Sequence, residues 1–179
     1  FDNFGQDHIV AENLHGKFTG VITGKIHMHV DLVPKIDDSE IHMDVDVVHG
    51  RLENYSLLTY MSDYFQNKNL SKVLFDDLNN HIDLVNGVMV IPKMTINSSL
   101  GHMEISGKQD LSGKMEYYLR IPWKMVAKTA ASKLFGKKKD DVPVDQTDEI
   151  QYGTEKTKYV SVKIVGDEKG YKFSLGKKK

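Results

Sequence analysis

The sequence predicts a mainly β protein of the α+β class: a curved antiparallel sheet built from hairpins, with two short amphipathic helices. Three observations favour this fold class. Apolar and polar residues alternate strictly along several stretches, which is typical of strands with one buried and one exposed face. Turn signals such as Asn86-Gly87 and Ser112-Gly113 separate these stretches. Two other stretches, 55–66 and 123–135, carry apolar residues at helical spacing.

The first predicted hairpin begins with an alternating stretch that is clear from Phe18 and has its faces assigned over 25–31, and it returns over 41–47, with a turn around Pro34 and 37–39. Setting Val30 opposite Ile41 gives a register in which unlike charges meet on the polar face, Lys25 with Asp46 and His27 with Asp44. In this register His29 also meets His42. The apolar face of the hairpin then consists of Ile26, Met28, Val30, Ile41, Met43 and Val45.

Gly50 interrupts the alternation of apolar and polar residues, and the helix predicted at 55–66 follows it. A helix inserted between strands is expected to cover one end or one face of the curved sheet. The second helix begins at Pro122, where a missing N–H costs nothing, and it runs through Phe135.

The pattern divides the chain into three segments. Residues 1–136 are expected to form one β domain. Residues 137–156 have few large apolar groups and no periodicity, a composition typical of a polar, disordered linker. Residues 157–179 predict a C-terminal β-hairpin followed by a basic tail.

Composition excludes several function classes. The chain has 179 residues, with 24 Lys and Arg against 25 Asp and Glu, so a net charge of -1 gives no general attraction to nucleic acid. Cysteine is absent, which excludes disulfides and thiolate catalysis. No apolar run approaches the ~20 residues of a membrane helix. The opening "FDNFGQDH" reads as the start of a piece of a longer chain, with any anchor outside it.

Motifs for catalysis are missing as well. The sequence has no G-x-S-x-G, no phosphate-binding glycine loop and no H-E-x-x-H. Its paired carboxylates, such as Asp37-Asp38 and Asp76-Asp77, lie in polar contexts that are typical of solvated surface. The sequence therefore predicts a protein that is not an enzyme and that has no catalytic residues and no cofactor.

A metal site is the weaker of two interpretations of the histidines. His27, His29 and His42, with Asp44, fall on one face of the predicted hairpin, and imidazole and carboxylate groups suit zinc. The same residues also satisfy the simple requirement for a polar outer face. We favour the second interpretation.

The eight methionines leave two alternatives open. Most fall on the apolar faces of the predicted strands and helices, where packing in an ordinary core is the simpler interpretation. Because methionine adapts its shape to varied partners, a plastic apolar groove for flexible chains is the other.

A series of short motifs, in a fixed order, resembles the C-terminal region of AsmA-like proteins, related to the TamB and YhdP group. The resemblance covers about residues 20–135. It is carried by "G-x-L-x-N-Y" at 50–55, "F-D-D-L" at 75–78, "I-x-L-V-N-G-V" at 82–88, "I-N-S-S-L-G-x-M-E-I-S-G" at 96–107 and "D-L-S-G-K-M-E-Y-Y-L" at 110–119.

This resemblance implies a location and a role. AsmA-like proteins are usually anchored in the inner membrane of Gram-negative bacteria, with the rest in the periplasm. Their larger relatives are elongated β structures with an apolar groove, thought to carry phospholipid toward the outer membrane. The family has no catalytic motif.

The expected function is that of a non-enzymatic periplasmic AsmA-like domain, over 1–136, that assists phospholipid transport or outer-membrane biogenesis. Lipid acyl chains would contact the apolar face of the first hairpin, residues 26–30 and 41–45. The alternative is a structural or interaction module that docks onto the rest of its own longer chain or onto envelope-assembly proteins. A metal-binding β domain is the third reading.

Overall fold

One antiparallel sheet dominates the structure. The computed structural model describes residues 13–61, 70–126, 149–154, 156–167 and 169–176. Among these residues one short helix, α1 (Ser56–Tyr60), and two 3-10 turns, Ile36–Asp38 and Trp123–Met125, accompany the sheet. The strands are β1 (Leu14–Lys25), β2 (Glu40–Glu53), β3 (Lys72–Phe75), β4 (Leu78–Val85), β5 (Val88–Ser98), β6 (Gly101–Asp110), β7 (Met115–Pro122), β8 (Tyr159–Asp167) and β9 (Gly170–Leu175). The predicted mainly β, antiparallel class is confirmed.

The strand order is β1-β2-β3-β5-β6-β7-β8-β9, and β4, like β3, pairs with β2 and β5. β2 pairs with β1 on one side and with both β3 and β4 on the other. The pairs Gly50 with Phe75 and Val47 with Leu78 belong to one unbroken register. β3 and β4 are therefore a single strand position, interrupted at Asp76-Asp77.

Tight turns connect the central strands where the sequence predicts them. Asn86 and Gly87 both have positive φ, +50° and +72°, as a two-residue hairpin between β4 and β5 requires. Between β6 and β7, Gly113 has φ +82°, and the Asp110 carboxylate accepts hydrogen bonds from the backbone N–H groups of Ser112 and Lys114. Both predicted hairpins are confirmed.

Two β-bulges interrupt the ladder. The first lies where β1 and β2 change register between His15 and Lys17, and His49 opposite has φ +55°. β2 passes through this bulge and continues to Glu53, so Gly50 does not end the strand. The second lies in β5 between Ile91 and Met94, at Pro92, which has no N–H to give to the ladder.

The core lies against one face of the sheet, mainly over β6, β7 and β8. From α1 and the residue after it, Leu57 and Met61 pack into this core, and Leu70 and Leu100 join from connecting segments. Its buried members are Leu57, Met61, Leu70, Val73, Leu100, Met103, Met115, Tyr117, Leu119, Ile121, Met125, Val126, Val160, Val162 and Ile164. Four of the eight methionines are thus ordinary core residues.

The predicted register of the first hairpin is wrong. β2 pairs with β1, so that Ile22 lies opposite Met43 and Gly24 opposite Ile41. Residues 26–39 form the connection, in which Met28 and Pro34 make an isolated bridge. The alternation predicted from Phe18 does belong to a strand, but β1 ends at Lys25, so residues 26–30 are not part of it.

The described residues do not support two amphipathic helices. Of the helix predicted at 55–66, α1 contains only Ser56–Tyr60, and residues 62–69 lie outside the described ranges. Where the second helix was predicted, Trp123–Met125 form a 3-10 turn, and residues 127–148 lie outside the described ranges. Residues 127–148 include most of the linker predicted at 137–156. β8 and β9 join the same sheet through β7.

Candidate functional site

The sheet has one mainly apolar and one mainly polar face, and the cross-strand register of the mainly apolar face is continuous from β2 to β7. Cross-strand partners share a face, and so do residues two apart on a strand. The partners Ile41, Leu84, Met89, Gln109 and Met115 form one row from β2 to β7. The apolar residues of β2 therefore lie on the same face as the core.

That face is closed over one half of the sheet and open over the other. Over β7 and β8 its side chains are buried, with Ile164 only 1% exposed. Over β1 the side chains are exposed: Ile22 by 65% and Phe18 by 42%. Between these strands, Met43 and Ile82 are half-buried. The open part, which we call the open apolar face, comprises Phe18, Ile22, Ile41, Met43, Val45, Leu78, Ile82 and Leu84.

Asn80 places a polar group within the open apolar face. It lies opposite Val45, whose other neighbour is Gly20. Its side-chain nitrogen Nδ2 is buried and has no hydrogen-bond partner among the described residues. A buried donor without an acceptor costs roughly 1–3 kcal/mol. An acceptor on a bound molecule would offset this cost.

The loop between β1 and β2 carries a second exposed apolar group. Its backbone is held by a bond from the N–H of His29 to the carbonyl of Val33, 2.8 Å long. Ser39, fully buried, accepts from the N–H of His27 and donates to the carbonyl of Lys35. Five apolar residues of this loop are exposed: Ile26, Met28, Val30, Leu32 and Val33.

The six residues predicted to face lipid are divided between these two places. Ile41, Met43 and Val45 lie together on β2, within the open apolar face. Ile26, Met28 and Val30 lie in the loop and not opposite them, because β1 ends at Lys25. Sequence reasoning missed Phe18 and Ile22, the residues of β1 that do lie opposite β2. Their alternation was visible, but Gly20 and Gly24 interrupt its apolar side.

On the polar face, β2 and β4 bring two histidines and a carboxylate together. His42 and Asp83 are direct cross-strand partners, and Nδ1 of His42 lies 2.5 Å from Oδ1 of Asp83. His81 lies two residues before Asp83 on β4, and its Nε2 is 2.9 Å from the same oxygen. The two imidazole rings are stacked, with centroids 6.0 Å apart.

The remaining nitrogen of each ring also faces a carboxylate. Nε2 of His42 lies 3.2 Å from Oε1 of Glu40, and Nδ1 of His81 lies 2.7 Å from Oδ1 of Asp44. Hydrogen bonds to Asp83 and then to Glu40 raise the pKa of His42 above its usual value. The bond to Asp44 does most to raise the pKa of His81, and the bond to His42 lowers that of Asp83. All ring nitrogens of the cluster thus face negative charge.

Only half of the metal candidates predicted from sequence lie at this cluster. His42 and Asp44 belong to it, whereas His27 and His29 lie in the loop before β2. The residues that were missed are His81 and Asp83. The alternation of Asn79, His81 and Asp83 on β4 was a usable signal, but it needed the pairing of β2 with β4, whose partner residues are more than thirty positions apart in the sequence.

No protein-family model, curated protein or solved structure matches the chain. The resemblance to AsmA-like proteins therefore stays a prediction. Within the described ranges, no helix is both long and apolar enough to cross a bilayer.

Proposed function

We propose that this chain is a non-enzymatic, periplasmic AsmA-like domain of an inner-membrane-anchored protein, and that it assists phospholipid transport or outer-membrane biogenesis. In this proposal acyl chains lie along the open apolar face. The observation that carries it is the contrast along one face of one sheet: Ile164 is 1% exposed, whereas Ile22 is 65% exposed.

A ligand on the open apolar face would extend the protein's own core. The face reaches from Met115 in the core to Ile41 through an unbroken row of cross-strand partners. Acyl chains lying there would cover side chains that the described residues leave in water, at roughly 25 cal/mol for each Å² of apolar surface. No polar contact is required for this gain, which suits a carrier of varied lipids.

Asn80 favours a lipid over a purely apolar ligand. Its unpaired Nδ2 donor lies between the side chains of the open apolar face. A phospholipid carries ester carbonyl oxygens at the junction of its acyl chains and headgroup. Because Nδ2 is buried, such an oxygen would accept this donor only after the Asn80 side chain rotates outward. A hydrocarbon would leave it unpaired, at a cost.

The two bulges support a curved sheet, as the sequence predicts. A bulge bends its strand and increases the local twist. The bulge at His49 lies in β2, and the one at Pro92 lies in β5, so they flank the interrupted strand formed by β3 and β4. Curvature between these positions would make a shallow trough of the open apolar face.

The alternative, a structural or interaction module, is favoured by β1. Among the described residues this 12-residue strand pairs on one side only, with β2. An edge of this length can accept an additional strand. The rest of a longer chain, or an envelope-assembly partner, would supply it.

A matched pair of variants on β1 tests the lipid proposal. Ile22 and Val21 are neighbours with almost equal exposure, 65% and 62%, but they lie on opposite faces of the sheet. The chain and its Ile22→Asp and Val21→Asp variants would be incubated with vesicles of phosphatidylethanolamine and phosphatidylglycerol, then examined by native mass spectrometry with lipid extraction.

We expect wild type and Val21→Asp to retain phospholipid at a defined stoichiometry and Ile22→Asp to lose it. Equal retention by both variants would contradict a role for this face. A lipid-free mass for wild type, under conditions in which a known carrier keeps its lipid, would favour the interaction module.

A further inference from the structure

We propose that His42, His81 and Asp83 form a binding site for a divalent transition-metal ion of the zinc class, on the polar face of the sheet. This site lies on the face opposite the open apolar face and does not depend on lipid binding. It differs from the set predicted from sequence, because His27 and His29 take no part.

The three ligand atoms already converge. One nitrogen of each histidine and Oδ1 of Asp83 lie within 4.8 Å of one another. Tetrahedral zinc with bonds of about 2.0–2.1 Å places its ligand atoms roughly 3.3 Å apart. Oδ1 of Asp83 lies 2.5 Å from Nδ1 of His42 and 2.9 Å from Nε2 of His81. Small outward rotations of these side chains would admit the ion.

The second nitrogen of each ring is placed as a metal site requires. A histidine that ligates a metal through one nitrogen commonly donates the proton on the other to a carboxylate, which fixes the tautomer and orients the ring. Glu40 lies in that position for His42, and Asp44 for His81. Both rings therefore have a separate carboxylate behind the nitrogen that faces away from the site.

The backbone of the site belongs to two paired strands, and its side chains are partly exposed. Its residues come from two adjacent strands, and His42 and Asp83 are direct cross-strand partners. The side chains of His42, His81 and Asp83 remain between 32% and 45% exposed, so water can complete the coordination. Two imidazoles and one carboxylate suit zinc, copper, nickel or iron(II) better than magnesium or calcium, which prefer oxygen ligands alone.

Metal titration of the tag-free, chelator-treated chain tests this site. Calorimetry with Zn²⁺ should give one equivalent bound, Co²⁺ should give a visible absorption band, and Mg²⁺ should give no binding. His81→Ala and Asp83→Asn should each weaken Zn²⁺ binding by about 100-fold. Asp44→Asn, which removes only the partner of a ligand, should weaken it by about tenfold.

His29→Ala is the matched control, because His29 lies in the exposed loop and should leave affinity unchanged. Circular dichroism with EDTA present checks that each variant is folded. A folded Asp83→Asn variant that binds zinc as tightly as wild type would overturn the proposal. So would the absence of a stoichiometric site in wild type, or a loss of zinc on replacing His29.

Discussion

Glu104 on β6 and Arg120 on β7 lie directly opposite each other, and Nη1 of Arg120 donates to Oε1 of Glu104 over 3.0 Å. Nζ of Lys93 lies 3.0 Å from the other oxygen of the same carboxylate. The guanidinium of Arg120 also lies over the ring of Tyr159, 4.3 Å from its centroid. The Glu104 side chain is only 16% exposed. One carboxylate thus joins three strands on the polar face.

Replacing Glu104 should make the stability of the chain less dependent on acid pH. Burial alone would raise the pKa of Glu104, but the hydrogen bonds from Lys93 and Arg120 outweigh it and lower that pKa. A lowered carboxylate pKa contributes stability above the unfolded-state value of about 4.3, and this contribution is lost as pH falls through the folded-state pKa. We expect Glu104→Gln to cost about 1 kcal/mol at neutral pH and progressively less below pH ~4.

Urea titrations of wild type and Glu104→Gln between pH 3 and pH 7 check this expectation. Glu149→Gln is the control, because Glu149 is an exposed carboxylate. A constant difference between wild type and Glu104→Gln over the whole range would contradict the assigned charge interactions.

The bulge between β1 and β2 predicts opposite effects for two substitutions. His49 has φ +55°, which costs a residue with a Cβ about 1 kcal/mol. His49→Gly should therefore stabilise the chain by up to roughly 0.5 kcal/mol, because the larger conformational entropy that glycine loses on folding offsets part of the relieved strain. Gly16 across the bulge has φ +140°, and a Cβ there would lie 3.1 Å from the carbonyl oxygen of Val48. Gly16→Ala should destabilise it, and melting temperatures would show both signs.

The difference between the closed and open halves of the apolar face is measurable as unfolding free energy. Ile164→Ala should cost about 2–4 kcal/mol, because it leaves a cavity in the core. Ile22→Ala should cost less than about 1 kcal/mol, since the side chain is already mostly in water. Denaturant titration gives both values. Similar losses for the two variants would indicate that Ile22 is covered in solution.

Asn80 should lower the free energy of unfolding of the lipid-free protein. Asn80→Leu removes a buried donor that has no acceptor among the described residues, and we expect a gain of about 1 kcal/mol in the free energy of unfolding. The same variant should bind phospholipid more weakly if an ester oxygen accepts this donor. Asn79→Leu is the control: its Nδ2 donates to Asp46 on the polar face, so the change should destabilise. Destabilisation by Asn80→Leu would show that its donor is satisfied.

Local signals were enough to predict the class of this fold. The Asn86-Gly87 turn could be predicted from the sequence, because both turn positions need a positive φ and few other residue pairs adopt it. The stretch that pairs with β2 could not be predicted from such local signals. Both 14–25 and 26–30 alternate, and the residues around Pro34 are compatible with the predicted loop of 10 residues, 31–40, and with the observed loop of 14, 26–39. Only long-range pairing, which places Ile22 opposite Met43, decides between them.

The metal cluster shows the same limit. His42 and Asp44 were found because they lie on one strand, where spacing alone fixes the face. His81 and Asp83 come from a strand more than thirty residues later, and only the register between β2 and β4 brings them to His42. Sequence alternation states which side chains share a face of a strand, but not which strands are neighbours.

The interruption at Asp76-Asp77 has a consequence for how this chain can change length during evolution. β3 and β4 keep one register on β2, so two residues on each strand, Val48-His49 and Asp76-Asp77, lie between the paired segments. Losing or gaining a single residue there would shift the register of β4 on β2 by one residue, so that each β4 side chain would move to the other face of the sheet. His81 and Asp83 would turn toward the core side, and Ile82 and Leu84 would turn to the histidine side. Unless a β-bulge takes up the odd residue, length changes at this point are tolerable only in pairs, which makes it a parity constraint on both faces at once.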